Sequence, residues 1–115
     1  MAHLLPSYLH TLRKRRGLSQ PDLASLLGVT GSALSRFENR SRRPTAKLLI
    51  GAEVIFGQVP KDVFPAFYRN IERSIVERAR ARRANLESQP GAAVSEKYRL
   101  LTEIIDRAGQ TSLNL

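Results

Sequence analysis

Leu18-Ser19-Gln20-Pro21-Asp22-Leu23-Ala24-Ser25-Leu26-Leu27-Gly28-Val29-Thr30-Gly31-Ser32-Ala33-Leu34-Ser35-Arg36-Phe37-Glu38-Asn39-Arg40-Ser41-Arg42-Arg43-Pro44 spells two short helices separated by a tight turn, with arginines around the second. Ser19 is a good N-cap, and Pro21 and Asp22 suit a first helical turn. Leu23, Leu26 and Leu27 then supply an apolar stripe, and Gly28 ends the helix. Thr30 caps the next helix, in which Leu34 and Phe37 face inward and Ser32, Ser35, Arg36 and Glu38 form the polar complement.

Working outward, helical spacing recurs and no strand alternation is convincing. A helix from Pro6 or Ser7 to Arg16 carries Leu5, Leu9 and Leu12, with Gly17 as its stop. Pro44-Thr45 opens a fourth helix, carried by Leu48, Leu49, Ala52, Val54 and Ile55 and closed by Gly57. A short fifth begins near Pro60 and is interrupted at Pro65. Beyond it Phe67, Ile71, Ile75 and Ala79 form the seam of one long helix, 66 to about 86. Ser88-Gln89-Pro90-Gly91 breaks that helix. A last one, 95–108, shows Tyr98, Leu101, Ile104, Ile105 and Ala108 on one side, with Gly109 as its expected terminator. The expectation is therefore an all-α chain: a five-helix domain over 1–65, a two-helix extension over 66–109, and a flexible tail over 110–115.

Net charge is +9 over 115 residues, from 19 Lys and Arg against 10 Asp and Glu. Residues 1–60 hold 9 basic and 3 acidic groups, and residues 61–115 hold 10 and 7, so the positive field is strongest where the quoted stretch lies. Such a charge calls for a polyanionic partner, either nucleic acid or an anionic membrane surface. Zero cysteines exclude disulfides and thiolate metal sites and suit a reducing compartment. No apolar run approaches the ~20 residues of a membrane span, and no basic region followed by an apolar stretch marks a signal peptide. His3 and His10 are too isolated for a metal site or catalytic dyad. Ser19, Ser32 and Ser35 lack a histidine and acid arrangement, and Asp22, Glu53 and Asp62 read as helix-end or solvated charges. No enzyme, metal or cofactor is expected.

Residues 8–64 resemble the Cro/repressor-type, or xenobiotic-response-element, helix-turn-helix family. The matching parts are Leu12-Arg13, Gly17-Leu18-Ser19-Gln20, Leu23-Ala24, Leu27-Gly28-Val29-Thr30, Ser35-Arg36-Phe37-Glu38-Asn39, Arg43-Pro44, and Val59 to Phe64. Ala24 is small where the motif helices cross, Gly28 supplies turn geometry, and Val29 and Leu34 plug the space between them. The resemblance implies a lambda-repressor-like fold whose third helix enters the major groove of duplex DNA while the second crosses the backbone. It places Gly31, Ser32 and Arg36 at base-reading positions and Gln20 at a phosphate; Thr30 and Ser35 complete the DNA-facing set. Arg36 can donate two hydrogen bonds to guanine, a contact worth about 1–3 kcal/mol of discrimination. Asn39, Arg40, Arg42 and Arg43, with Lys47 beside them, are expected to clamp phosphates without reading sequence.

The family pairs Arg13 with Glu38 as a structural salt bridge, which removes that arginine from the interface. The chain departs from the family at Arg40, where a glycine usually follows Asn, and Asn39 is the residue expected to take the left-handed conformation instead. The resemblance further implies a cytoplasmic, nucleoid-associated regulator of bacterial or phage type, acting as a homodimer on an inverted repeat, repression being favoured over activation. The alternative is an antitoxin-like interaction protein whose residues 66–109 bind a partner protein while the N-terminal domain autoregulates. The arginines of the long helix leave three readings open: a solvated face relieved by Arg73–Glu77 and Arg69–Glu72 pairs, a second DNA-contacting surface, or a membrane-surface face.

Overall fold

The computed structural model describes residues 7–113, with side chains through Gln110. Among them are α1 (Leu9–Arg15), α2 (Gln20–Leu27), α3 (Gly31–Glu38), α4 (Ala46–Phe56), α5 (Pro60–Val63), α6 (Pro65–Glu87), a 3-10 turn (Ala92–Val94) and α7 (Glu96–Leu113), and no strand. The chain is all-α. It forms two compact units that divide between Arg69 and Asn70, within α6. Leu5, Pro6 and His3 lie outside the described residues.

Helix ends follow local chemistry. Ser19 and Asp22 close a capping box, in which Ser19 Oγ accepts from the Asp22 amide (3.1 Å) and Asp22 Oδ2 accepts from the Ser19 amide (2.9 Å). Thr30 Oγ1 accepts from the Ala33 amide (3.0 Å), and Thr45 Oγ1 from the Leu48 amide (3.2 Å). These caps satisfy first-turn donors and fix where α2, α3 and α4 begin.

The first unit has one core, built from Leu9, Leu23, Ala24, Leu27, Leu34, Phe37, Leu48, Ala52, Phe56, Val63 and Phe64, with Leu12, Leu18, Val29, Leu49, Ile55 and Phe67 packed against it. Val54 and Leu26 do not join it. They are 79% and 61% exposed, because the inward stripe of α4 runs through Leu48, Ala52 and Phe56, and that of α2 through Leu23 and Leu27. Gly51 was no part of the expected core, yet a Cβ there would run into Leu27 Cδ2, so α4 meets α2 almost at its backbone.

In the second unit Val76 and Ala79 are the buried residues of α6, and Arg83 Nη1 donates to Thr102 Oγ1 of α7 (3.2 Å). Ile71 and Ile75, expected in the seam, are nearly half exposed. The inward line through residues 76, 79 and 83 is offset from them around the helix. α7 starts at a Ser95 cap, whose Oγ accepts from the Tyr98 amide (3.1 Å). It then runs through Gly109 to Leu113, so residues 110–113 are helical where a tail was expected. A helical glycine costs about 1 kcal/mol without ending a helix unless the chain turns left-handed there, and Gly109 does not.

Candidate nucleic-acid interface

The stretch from Ser19 to Pro44 is held from beneath by one polar cluster. Arg13 Nε donates to Glu38 Oε2 (2.7 Å) and Nη2 to Oε1 (3.1 Å), while Nη1 donates to the Leu18 carbonyl (3.0 Å). Gln20 Nε2 donates to Glu38 Oε1 (3.1 Å), and His10 Nδ1 lies 3.3 Å from the same oxygen and 3.2 Å from Arg13 Nη2. The Arg13 and Glu38 side chains are only 8% and 5% exposed. α1, α2 and α3 thus converge on one carboxylate. Burial alone raises the Glu38 pKa, but hydrogen bonds from Arg13, Gln20 and His10 and the Arg13 charge outweigh it, holding the carboxyl below its ordinary 4.5. The backbone amide and hydroxyl of Ser19 likewise hold Asp22 below the usual carboxylate range.

Above this cluster α3 presents its polar face. Leu34 and Phe37 are buried, whereas Thr30, Gly31, Ser32 and Arg36 are exposed and Ser35 is half-buried. Ser32 and Arg36 are one turn apart on the same side. Gln20, expected at a phosphate, is half-buried and donates its side-chain amide to Glu38. Lys47 is similarly engaged, its Nζ donating to the Gly28 carbonyl (2.9 Å) at the α2 end.

Three helix ends in this unit share one geometry. α1 closes with Leu18 N–H to Arg13 O (3.0 Å) and Gly17 N–H to Lys14 O (3.1 Å), and α2 with Val29 N–H to Ala24 O (3.0 Å) and Gly28 N–H to Ser25 O (3.2 Å). α3 does the same with Ser41 N–H to Arg36 O (3.0 Å) and Arg40 N–H to Phe37 O (3.2 Å). This double bond pattern requires a left-handed residue. Gly17 and Gly28 occupy it with φ 76° and 71°, and in α3 Arg40 occupies it with φ 65°.

The expectation that Asn39 would turn left-handed is therefore corrected. Asn39 stays at φ −88°, and its Oδ1 accepts from the Ser41 amide (3.0 Å), bracing the turn that Arg40 makes. The bond pattern, set by where α3 ends, determines which residue must bend, and Asn39 is one position too early. Beyond it Arg42 lays its guanidinium over the Phe37 ring, 5.2 Å from the centroid, and Arg43 is exposed. Arg36, Arg40, Arg42 and Arg43 thus lie within one eight-residue stretch at the end of α3.

Residues 5–52 match the family model of a helix-turn-helix domain. The N-terminal unit carries a helix-turn-helix domain. No curated protein and no solved structure matches the chain. Within the domain, α2 and α3 are the two motif helices and Gly28-Val29-Thr30 the turn between them. Among the described residues no helix is long and apolar enough to cross a membrane, and no cluster of His, Cys, Asp or Glu could hold a metal ion.

Two outcomes follow for the scaffold. A non-glycine residue in the left-handed region costs about 1–2 kcal/mol, so Arg40→Gly should raise unfolding free energy by about 1 kcal/mol in urea titrations, whereas Arg40→Ala should not. Because the folded pKa of Glu38 is depressed, its ion pair contributes fully above 4.5 and is lost as pH falls through the lower folded value. Glu38→Gln, which leaves Arg13 buried beside a neutral partner, should cost about 3 kcal/mol at neutrality. The gap from wild type should narrow on acidification; a gap independent of pH contradicts the assignment.

Proposed function

We propose that the chain is a Cro/repressor-type transcriptional regulator that binds double-stranded DNA sequence-specifically as a homodimer and represses by occupying an inverted-repeat operator. The observation carrying this reading is the exposed α3 face, with Ser32 and Arg36 outward on a helix whose opposite side is locked into the core. Arg36 reads a base edge, and the fork of its guanidinium suits O6 and N7 of guanine. Ser32 adds one adaptable hydroxyl, and Gly31 permits close approach. With so few direct readers, DNA shape contributes to the preference. Asn39, Arg40, Arg42 and Arg43 position the helix on the phosphates, and Thr30 serves chiefly as the α3 cap. Gln20 and Lys47, engaged with Glu38 and the Gly28 carbonyl, shape the domain. The role is one of binding rather than catalysis.

Dimerisation falls to the C-terminal extension, 66–109, and an inverted-repeat operator takes two copies of α3 on successive major-groove faces about 34 Å apart, one helical turn.

Selection of bound sequences from random duplexes should return an inverted repeat with that spacing. Arg36→Ala should lose about 1–3 kcal/mol on the selected site and flatten base preference at one position of each half-site. Arg42→Ala should weaken selected and random duplexes alike and reduce the salt slope by about 0.9. If both variants act equally on selected and random DNA, α3 is not the reading helix. A chain ending at Arg69 should sediment as a monomer, and a persisting dimer places the interface in the first unit.

A further inference from the structure

α7 and α6 treat their cations differently. On α7, Arg99 pairs with Glu96 (3.2 Å) and Arg107 with Glu103 (4.0 Å). On α6 neither expected pair, Arg73 with Glu77 nor Arg69 with Glu72, forms among the described residues; Arg73 reaches only the Asn70 amide oxygen (3.5 Å). Yet residues 73–82 carry four arginines, Arg73, Arg78, Arg80 and Arg82, against one acid, Glu77, and all four arginines are exposed. These positive charges are concentrated in about 14 Å of helix and left uncompensated.

Their placement has a pattern. With about 3.6 residues per turn, Arg73 and Arg80 share one flank of α6 and Arg78 and Arg82 share the other. Val76, Ala79 and Arg83 define the inward side, where Arg83 bonds Thr102. The crest between the two arginine flanks holds Ser74, Glu77, Ala81 and Ala84, with Glu77 its one acid over residues 73–84. A low crest rimmed by guanidiniums on both sides matches a groove whose two walls are phosphate. A helix of about 10–12 Å diameter fits a major groove about 12 Å wide, leaving each arginine flank against one strand.

We propose that the outer face of α6, through Arg73, Arg78, Arg80 and Arg82, is a second DNA-binding surface that grips the phosphates of both strands of a duplex without reading sequence. With Ser74 and Glu77 as its polar side chains over residues 73–84, the crest brings no guanidinium or amide fork to a base edge, so the contact is electrostatic. The cations are all arginine, whose planar fork bonds phosphate oxygens two at a time. A bilayer is the poorer match, since Ile71 and Ile75 stand in line with Arg78 and Arg82 on one flank alone and the crest itself offers no aromatic or large aliphatic side chain to bury. The consequence is a chain that combines selective contact through α3 with non-selective contact through α6.

The test measures full-length protein binding a random-sequence duplex across a salt series. Replacing all four arginines by glutamine, a good helix former that leaves the core untouched, should lower the slope of log affinity on log salt by two or more, at about 0.9 per lost phosphate contact, and reduce affinity at least tenfold. The matching four-lysine variant, which preserves charge, should retain the slope. Arg36→Ala should leave the random-duplex slope in place while altering selected-site preference, which separates failure of the α3 reading from failure of this one. A glutamine variant, folded by circular dichroism, with the wild-type duplex slope overturns the proposal. So does loss of binding to phosphatidylserine vesicles with duplex binding unchanged.

Discussion

The N-terminal unit depends on the buried pairing of Arg13 with Glu38. Two charges so far from water are tolerable only because nearly every donor and acceptor in the cluster has a partner: Arg13 is satisfied by Glu38 and the Leu18 carbonyl, and Glu38 by Arg13, Gln20 and His10. Apolar side chains in those positions would pack with less desolvation cost, but they would not dictate angles. A bidentate guanidinium–carboxylate contact is directional. It sets the rotation of α3 about its axis relative to α1, and Gln20 brings the start of α2 into the same register. Which residues of α3 point outward is thereby decided on its inner side.

The end of α3 shows a second constraint. The domain repeats one helix-closing motif three times, with glycine at the strained position twice and arginine the third time. Glycine is the residue the geometry favours. An arginine there carries backbone strain, and the compensation visible in the structure is the Asn39 side chain bonded to the Ser41 amide. What arginine adds is charge, directly beside Arg42 and Arg43. On the proposed reading, local stability has been exchanged for electrostatic density where the chain meets phosphate. Arg42, stacked on Phe37, has also given up side-chain freedom before any ligand arrives, which lowers the entropy lost on binding.

Much of this was legible because it is local. Ser19, Thr30 and Thr45 announce helix starts, Gly28 and Gly57 announce ends, and leucine spacing identifies the core of α2 and α3; each of these depends on neighbours within a few residues. The Arg13–Glu38 pair was legible only through family resemblance, since 25 residues separate its members. The rest depended on which partner an element meets. Val54 and Leu26 fit an apolar stripe equally well facing in or out, and in α6 the expected seam keeps Ala79 while Val76 is buried in place of Ile71 and Ile75. Gln20 and Lys47 reach inward because long polar side chains on exposed turns find an unsatisfied acceptor nearby, which no linear pattern records.

The contact of Gly51 with Leu27 carries this logic further. At Gly51 α4 brings no side chain of its own toward Leu27, so at that point the height of α2, and with it the turn leading into α3, is gauged by the α4 backbone. A methyl group at Gly51 would act as a shim behind the motif. On the proposed reading, inherited changes in operator preference need not arise among the residues facing DNA. Small substitutions on the concealed side of α4 could retune them, leaving the reading surface identical in composition and different only in its angle of attack.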